Sequence, residues 1–239
     1  MLNDDDVVLV VAPHADDETL GAGGTIARLV SEGVEVHVAV VTGHGGGWNP
    51  LGTPDLWDTV RRECAEAMRV LGVERLHFRE LPAARLADHP AYELNATIRD
   101  LVGEVQPTVL LVPFPFDLHK DHREVFYALN VAWRTSSSDG RRIRLVLAYE
   151  VQSETHWNPP YLEAGFLPNV WMEIGEFLER KLLALREYQS QMRPFPDARS
   201  LEALESLARW RGSQQNMDAA EAFVLIRGNL TCPSPNETD

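Results

Sequence analysis

The six residues Val7 to Ala12 are apolar at every position, and four of them are valine. A strand with one wet face alternates apolar and polar side chains. An unbroken run predicts instead a strand covered on both faces, as in a parallel sheet lying between two layers of helix. Glu18 to Glu32 then has the pattern of a helix, with Gly33 placed as its C-terminal cap. A second β-branched run, Val34 to Val41, follows. The chain therefore opens as strand, helix, strand.

The alternation continues beyond a Gly-rich loop (Gly43, Gly45, Gly46, Gly47). A helix is expected from Leu56 to Leu71, ending at Gly72, then a short strand at Leu76 to Phe78 and a helix from Tyr92 to Val105. Thr108 to Val112 reads as the next strand, leading through Pro113 and Pro115 into a loop. From His122 to Trp133, the residues Val125, Phe126, Leu129 and Trp133 recur at helical spacing, giving an amphipathic helix with Trp133 packed on its apolar face. Leu145 to Tyr149 is a further strand, Ser136 to Gly140 a polar loop, Glu176 to Tyr188 and Leu201 to Arg211 two helices, and Ala222 to Ile226 a short closing strand. Repeated βαβ units predict an α/β fold: one domain over residues 1–230, with a mainly parallel, Rossmann-like twisted sheet flanked by helices on both faces. Residues 231–239 are expected to form a flexible tail.

Charge narrows the partners. Lys plus Arg number 22 against 36 Asp plus Glu, a net charge of −14, which disfavours nucleic acid and anionic membrane. The acidic start Met1-Leu2-Asn3-Asp4-Asp5-Asp6 is unlike a signal peptide, and no apolar run approaches the roughly 20 residues that cross a bilayer, so a cytoplasmic protein is expected. Cys64 and Cys232 make neither a disulfide framework nor a CxxC metal motif; Cys64 reads as a small core residue. Homo-oligomerisation is compatible with the sequence but not specified by it.

Ligands of such sheets bind beyond the carboxyl ends of the strands. Two polar segments fall there: Pro13-His14-Ala15-Asp16-Asp17-Glu18 after the first strand, and His119-Lys120-Asp121-His122 after Thr108 to Val112. Three of the eight histidines lie in these two loops. One histidine or aspartate at a strand end is ordinarily a helix cap. Adjacent carboxylates beside several imidazoles are different, because their repulsion must be offset by a cation or by hydrogen bonds. Imidazole nitrogen and carboxylate oxygen suit Zn²⁺, and a catalytic zinc keeps three protein ligands with one position open to water.

The run from Val11 through Pro13-His14-Ala15-Asp16-Asp17-Glu18-Thr19-Leu20-Gly21 to Thr25 resembles the N-terminal signature of the PIG-L/LmbE-like deacetylases. His119-Lys120-Asp121-His122-Arg123 is similar to that family's second motif, and Arg61-Arg62-Glu63 and Ser190-Gln191 match in order. The resemblance implies zinc on His14, Asp17 and His122, with Asp16 as general base. It further implies His119 as stabiliser of the tetrahedral intermediate and Asp121 as the residue orienting a neighbouring histidine. The substrate would be a small N-acetylated amino sugar, such as N-acetylglucosamine on inositol, malate or a larger natural product. Ala15 and Lys120 stand where many members carry proline, which bears on loop rigidity rather than on chemistry. In this scheme a protonated His119 faces the oxyanion, and Asp121 either partners it or caps the helix beginning at His122. Fe²⁺ suits the same ligand set as Zn²⁺.

Three rivals are weaker. Gly21-Ala22-Gly23-Gly24 is not GxGxxG, and the second strand ends in Val41-Thr42 with no ribose-binding acid, so those glycines are read as helix packing rather than nicotinamide binding. A non-haem Fe(II) oxygenase triad would call for an all-β barrel. A non-catalytic sugar-binding module could use Trp48, Trp57 and Trp157 but would not need paired acids. Arg61, Arg62, Arg123, Asn49, Trp48, Trp157 and the stretch Glu154 to Asn158 are the candidates for substrate contact.

Overall fold

The computed structural model describes residues 2, 5–45 and 53–229. The expectations placed on Gly46, Gly47, Trp48, Asn49, Cys232 and the tail 231–239 lie outside the described residues. The apolar runs form β1 (Val7–Ala12), β2 (Glu35–Gly43), β4 (Val109–Pro113) and β5 (Leu145–Tyr149), which pair in parallel together with β3 (Arg75–Pro82). Two further strands, β6 (Val170–Glu173) and β7 (Ala220–Gly228), close the sheet, with β7 antiparallel to both β5 and β6. The order is β3-β2-β1-β4-β5-β7-β6. This is the mainly parallel α/β sheet expected, and not the all-β barrel of an oxygenase.

Successive residues of β1 explain its unbroken apolar pattern. Val8, Val10 and Ala12 pack into one core layer, and Leu9 and Val11 into the opposite one. Helices α1 (Asp17–Ser31), α2 (Pro54–Leu71), α7 (Leu178–Glu187) and α8 (Leu201–Ser213) contribute to the first layer. Helices α3 (Ala91–Val105) and α4 (Lys120–Ala132) cover the second. Gly72 ends α2 in the left-handed conformation (φ 85°), and Cys64 is fully buried on the same helix. Trp133 is buried edge-on against Phe126, as its helical spacing predicts.

The glycines of α1 are packing residues. A Cβ on Gly21 would lie 2.3 Å from the Tyr149 ring, and one on Gly24 2.6 Å from Ile174. Only a bare backbone lets α1 approach the sheet this closely. A buried ion pair then enters the helix. Lys181 donates to the Leu20 carbonyl at 2.8 Å, while Glu221 accepts from the Gly24 and Thr25 amides and from Lys181.

Differences from the sequence reading lie at the short elements. Residues Ser136 to Gly140, read as a loop, lead into α5 (Ser138–Arg142), whose first turn is capped by Ser137 accepting from Gly140 N–H at 3.0 Å. Helix α6 (Gln152–Thr155) and strand β6 have four residues each, too few to show a period. Strand β3 runs to Pro82, beyond Phe78, through a register shift opposite Val40 and Thr42. Among the described residues no helix is long and apolar enough to cross a membrane.

Candidate metal centre and active site

The topology decides where the two motifs meet. From β1 the chain moves outward through β2 to β3, then returns to lay β4 on the other side of β1. The crevice between the carboxyl ends of β1 and β4 is therefore a topological switch point, where ligands of open α/β sheets bind. His14, Asp16 and Asp17 leave β1 there, and His119 and His122 leave β4.

Asp16 makes the turn with φ 125° and ψ −30°, a conformation that costs a non-glycine residue about 1–3 kcal/mol. Its surroundings hold it. The Asp16 amide donates to Glu18 Oε2 at 3.1 Å, and its carbonyl accepts from the amides of Thr19 and Leu20 at 3.0 and 2.8 Å. Glu18 is fixed in turn by the hydroxyls of Thr19, at 2.7 Å, and of Tyr188. The turn directs the Asp16 carboxylate one way and that of Asp17 another.

Asp17 and His122 are fully buried, and His14 is partly so. Asp17 Oδ2 lies 3.2 Å from His14 Nδ1 and 3.1 Å from His122 Nε2. Asp17 Oδ1 and His122 Nε2 have no hydrogen-bond partner although both are buried. Unsatisfied buried polar atoms are costly, so two of them on converging ligand-type side chains mark a place that suits a cation. Donor atoms of His14, Asp17 and His122 all lie within 4.8 Å of one another. His14, His119 and Asp121 form a second such grouping. There, however, Asp121 already accepts from the amides of Ala84 (2.5 Å) and Leu86 (3.0 Å), and His119 Nδ1 from the Asp121 amide (3.1 Å). The first grouping fits a metal; the second is occupied by its own hydrogen bonds.

Behind each of the two histidines stands a carboxylate. His14 Nε2 is 3.0 Å from Asp121 Oδ2, and His122 Nδ1 is 2.8 Å from Asp117 Oδ2. Such partners fix the tautomer and leave the other ring nitrogen free for a cation. Asp117 is itself held by the Thr155 hydroxyl at 2.6 Å. Burial opposes charge on His14, but hydrogen bonds to Asp121 and Asp17 outweigh it and push its pKa up to about 9. His122 is likewise raised, against burial, by Asp17 and Asp117. The carboxylates around these two imidazoles therefore favour positive charge at this point. Removing one of the supporting carboxylates has a defined consequence. Asp117→Asn is expected to weaken metal affinity by about 10- to 100-fold, read by competition with a chelator, since the amide cannot match a carboxylate as partner to His122.

Two sequence expectations change here. Burial, with His14 and His122 close by, lowers the His119 pKa to about 4, which favours the neutral ring over the protonated one expected. Because its Nδ1 accepts from the Asp121 amide, the neutral ring carries its proton on Nε2 and remains a donor. The Asp121 carboxylate neither partners the His119 ring nor caps α4; it stands behind His14, a neighbouring histidine of the kind Asp121 is expected to orient, and His119 is the N-cap residue.

Asp16 has one oxygen bound and one free. Oδ2 accepts from Arg199 Nη1 at 3.0 Å, whereas Oδ1 is buried without a partner. Burial raises the Asp16 pKa to about 7, opposed by Arg199 and reinforced by Asp17 and Glu18. His14, Asp16, His119 and Arg199 open onto one cavity of ≈ 470 Å³, whose outer wall includes Trp57, Arg61, Phe78 and Gln191. Of the remaining contact candidates, Arg61 lines this cavity, paired with Glu80 at 2.5 Å. Arg62 and Trp157 do not line it. Arg123 is engaged by Glu163 and by the Asp117 carbonyl, and so braces the loop between β4 and α4. Glu154 lies 3.8 Å from Arg199, and Asn158 donates to Glu163. Sequence reasoning missed Asp117 and Arg199. The first was legible as an acid in the loop after β4; the second, 183 residues from its partner, carried no local signal.

Known proteins of similar sequence include deacetylases. A family model described as PIG-L, GlcNAc-PI de-N-acetylase, matches residues 9–133. A diacetylchitobiose deacetylase of Thermococcus kodakarensis is 28% identical over 95% of this chain and 85% of its own. The solved structure of the conserved protein TT1542 from Thermus thermophilus superposes with a TM-score of 0.72 at 29% identity, covering 95% of this chain and 98% of the other. The 4-carboxy-2-hydroxymuconate hydratase GalB of Pseudomonas putida has a TM-score of 0.73 at 20% identity, over 96% and 99% of the two chains. That likeness is one of fold alone, so the scaffold does not by itself choose the reaction.

Proposed function

The chain belongs to the PIG-L family of GlcNAc-PI de-N-acetylases, and from that premise we propose that it is a zinc-dependent hydrolase removing the N-acetyl group from a small amino-sugar substrate, an N-acetylglucosamine-containing glycoside or conjugate. The observation that carries the reading is the buried, unsatisfied pair Asp17 Oδ1 and His122 Nε2, grouped with His14; Asp16, next to Asp17 in the chain, lines the cavity with its Oδ1 unpaired. His14, Asp17 and His122 would hold the metal, and an N₂O ligand set accepts Fe²⁺ as well as Zn²⁺. When bound, the ion supplies Lewis acidity, bringing the pKa of a water to about 7 and polarising the acetyl carbonyl.

The chain's own groups complete the reaction. Asp16 Oδ1 takes a proton from the attacking water and returns it to the departing nitrogen, so that acetate and a free amine leave with no net change at the carboxylate. His119 Nε2–H donates to the carbonyl oxygen as negative charge develops there. A neutral imidazole can do this, because a hydrogen-bond donor at an oxyanion need not be cationic. His119→Ala is expected to lower kcat by about 10²- to 10³-fold with metal content retained, measured by acetate release alongside elemental analysis.

The function is tested with metal-reconstituted protein on a panel of N-acetylated amino sugars and their glycosides, following acetate and free amine together. Equimolar release with no nicotinamide or oxoglutarate added is expected. Turnover that required either cosubstrate, or that released no amine from any member of the panel, would remove the deacetylase reading.

A further inference from the structure

We propose that Arg199 is a positioning residue for Asp16, locking one carboxylate oxygen so that the other is presented to the reacting water; the inference rests on the reading of Asp16 as the base. The Asp16 carboxylate is 2% exposed, and its two oxygens are unequal. Oδ2 is held by Arg199 Nη1 at 3.0 Å and Oδ1 by nothing. The terminal torsion of an aspartate is broad and roughly two-fold, so burial alone does not choose which oxygen faces the cavity. A bound oxygen does.

Arg199 is itself held at both ends, unlike a surface ion-pair partner. Its Nε donates to Ser153 Oγ at 3.1 Å and its Nη1 to Gln191 Oε1 at 3.4 Å, with Nη2 3.8 Å from Glu154 Oε1. Its amide donates to Asp197 Oδ1 at 2.8 Å, and its carbonyl accepts from the Arg193 amide at 3.2 Å. The next residue, Ser200, is fully buried and caps α8 through the Ala203 amide at 3.1 Å. The guanidinium is thus a planar fork on a fixed backbone, reaching Ser153 and Asp16 at once. Lysine would keep the charge but not the fork.

The test compares wild type, Arg199→Lys and Arg199→Ala as metal-loaded proteins, with N,N′-diacetylchitobiose as the probe and crystal structures of all three. Because Arg199 acts through Asp16, its removal should cost no more than part of the base's own contribution. We expect kcat to fall by about 10-fold in Arg199→Lys and about 100-fold in Arg199→Ala, with KM within about 3-fold and metal content unchanged. Millimolar guanidinium should restore part of the kcat of Arg199→Ala, which it would not do for a loss of folding stability. In the Arg199→Ala crystal structure the Asp16 carboxylate should be rotated from its wild-type orientation. An unrotated carboxylate, an unchanged kcat, or a raised KM at wild-type kcat overturns the proposal. If the wild type itself releases no acetate, the deacetylase reading falls, and the carboxylate orientation still decides the role of Arg199.

Discussion

Asp16→Asn is expected to lower turnover by about 10²- to 10⁴-fold while metal content stays near that of wild type. The substitution keeps the size of the side chain and can still accept from Arg199, which reaches Oδ2 at 3.0 Å, but an amide cannot take a proton from water. The metal grouping of His14, Asp17 and His122 is left whole, since Asp16 is not among its members. The free oxygen of Asp16 has no partner to lose, so the variant should fold with its neighbours in place. Acetate release and elemental analysis on the same preparation give the result. Wild-type turnover would show that another group is the base. Loss of metal with loss of turnover would show that the roles of Asp16 and Asp17 are exchanged.

His14→Ala and His122→Ala are expected to take metal content from about one ion per chain to near none, and activity with it, because a catalytic zinc site has three protein ligands and each supplies a large share of the affinity. His122 is fully buried and carries Asp117 behind it, so its removal also strands a buried carboxylate. His14 is partly exposed, and its loss leaves Asp121 with the amides of Ala84 and Leu86. His14→Ala is therefore the cleaner variant, with circular dichroism confirming its fold. Full metal occupancy in both variants would rule out this ligand set, whereas metal lost from His14→Ala but kept in His122→Ala would point to the grouping of His14, His119 and Asp121.

Much of this centre was legible in the sequence because chemistry and fold coincide in short segments. Val7–Ala12 and Val109–Pro113 are apolar enough to be sheet interior, and polar side chains at their carboxyl ends have nowhere to go but the crevice. The spacing in Pro13-His14-Ala15-Asp16-Asp17-Glu18 sets two acids side by side at a helix start, where only a special turn lets them diverge. The elements that escaped reading, α5, α6 and β6, have five, four and four residues and depend on their neighbours for stability rather than on any pattern of their own.

The sequence by itself determined the fold class, the two polar loops that meet at the crevice, and the glycines at which α1 meets the sheet. Those depend on local periodicity and on side-chain size, which are properties of a segment. Tertiary structure alone decided the protonation of His119, the assignment of Asp121 to His14 rather than to His119, and the pairing of Asp16 with Arg199. Each depends on distances of a few ångströms between groups from different elements, and on how far water is excluded from them. Burial beside other imidazoles lowers the pKa of an imidazole, and a guanidinium opposes the rise that burial imposes on a carboxylate. Neither surrounding is written in the residues adjacent to it in the chain.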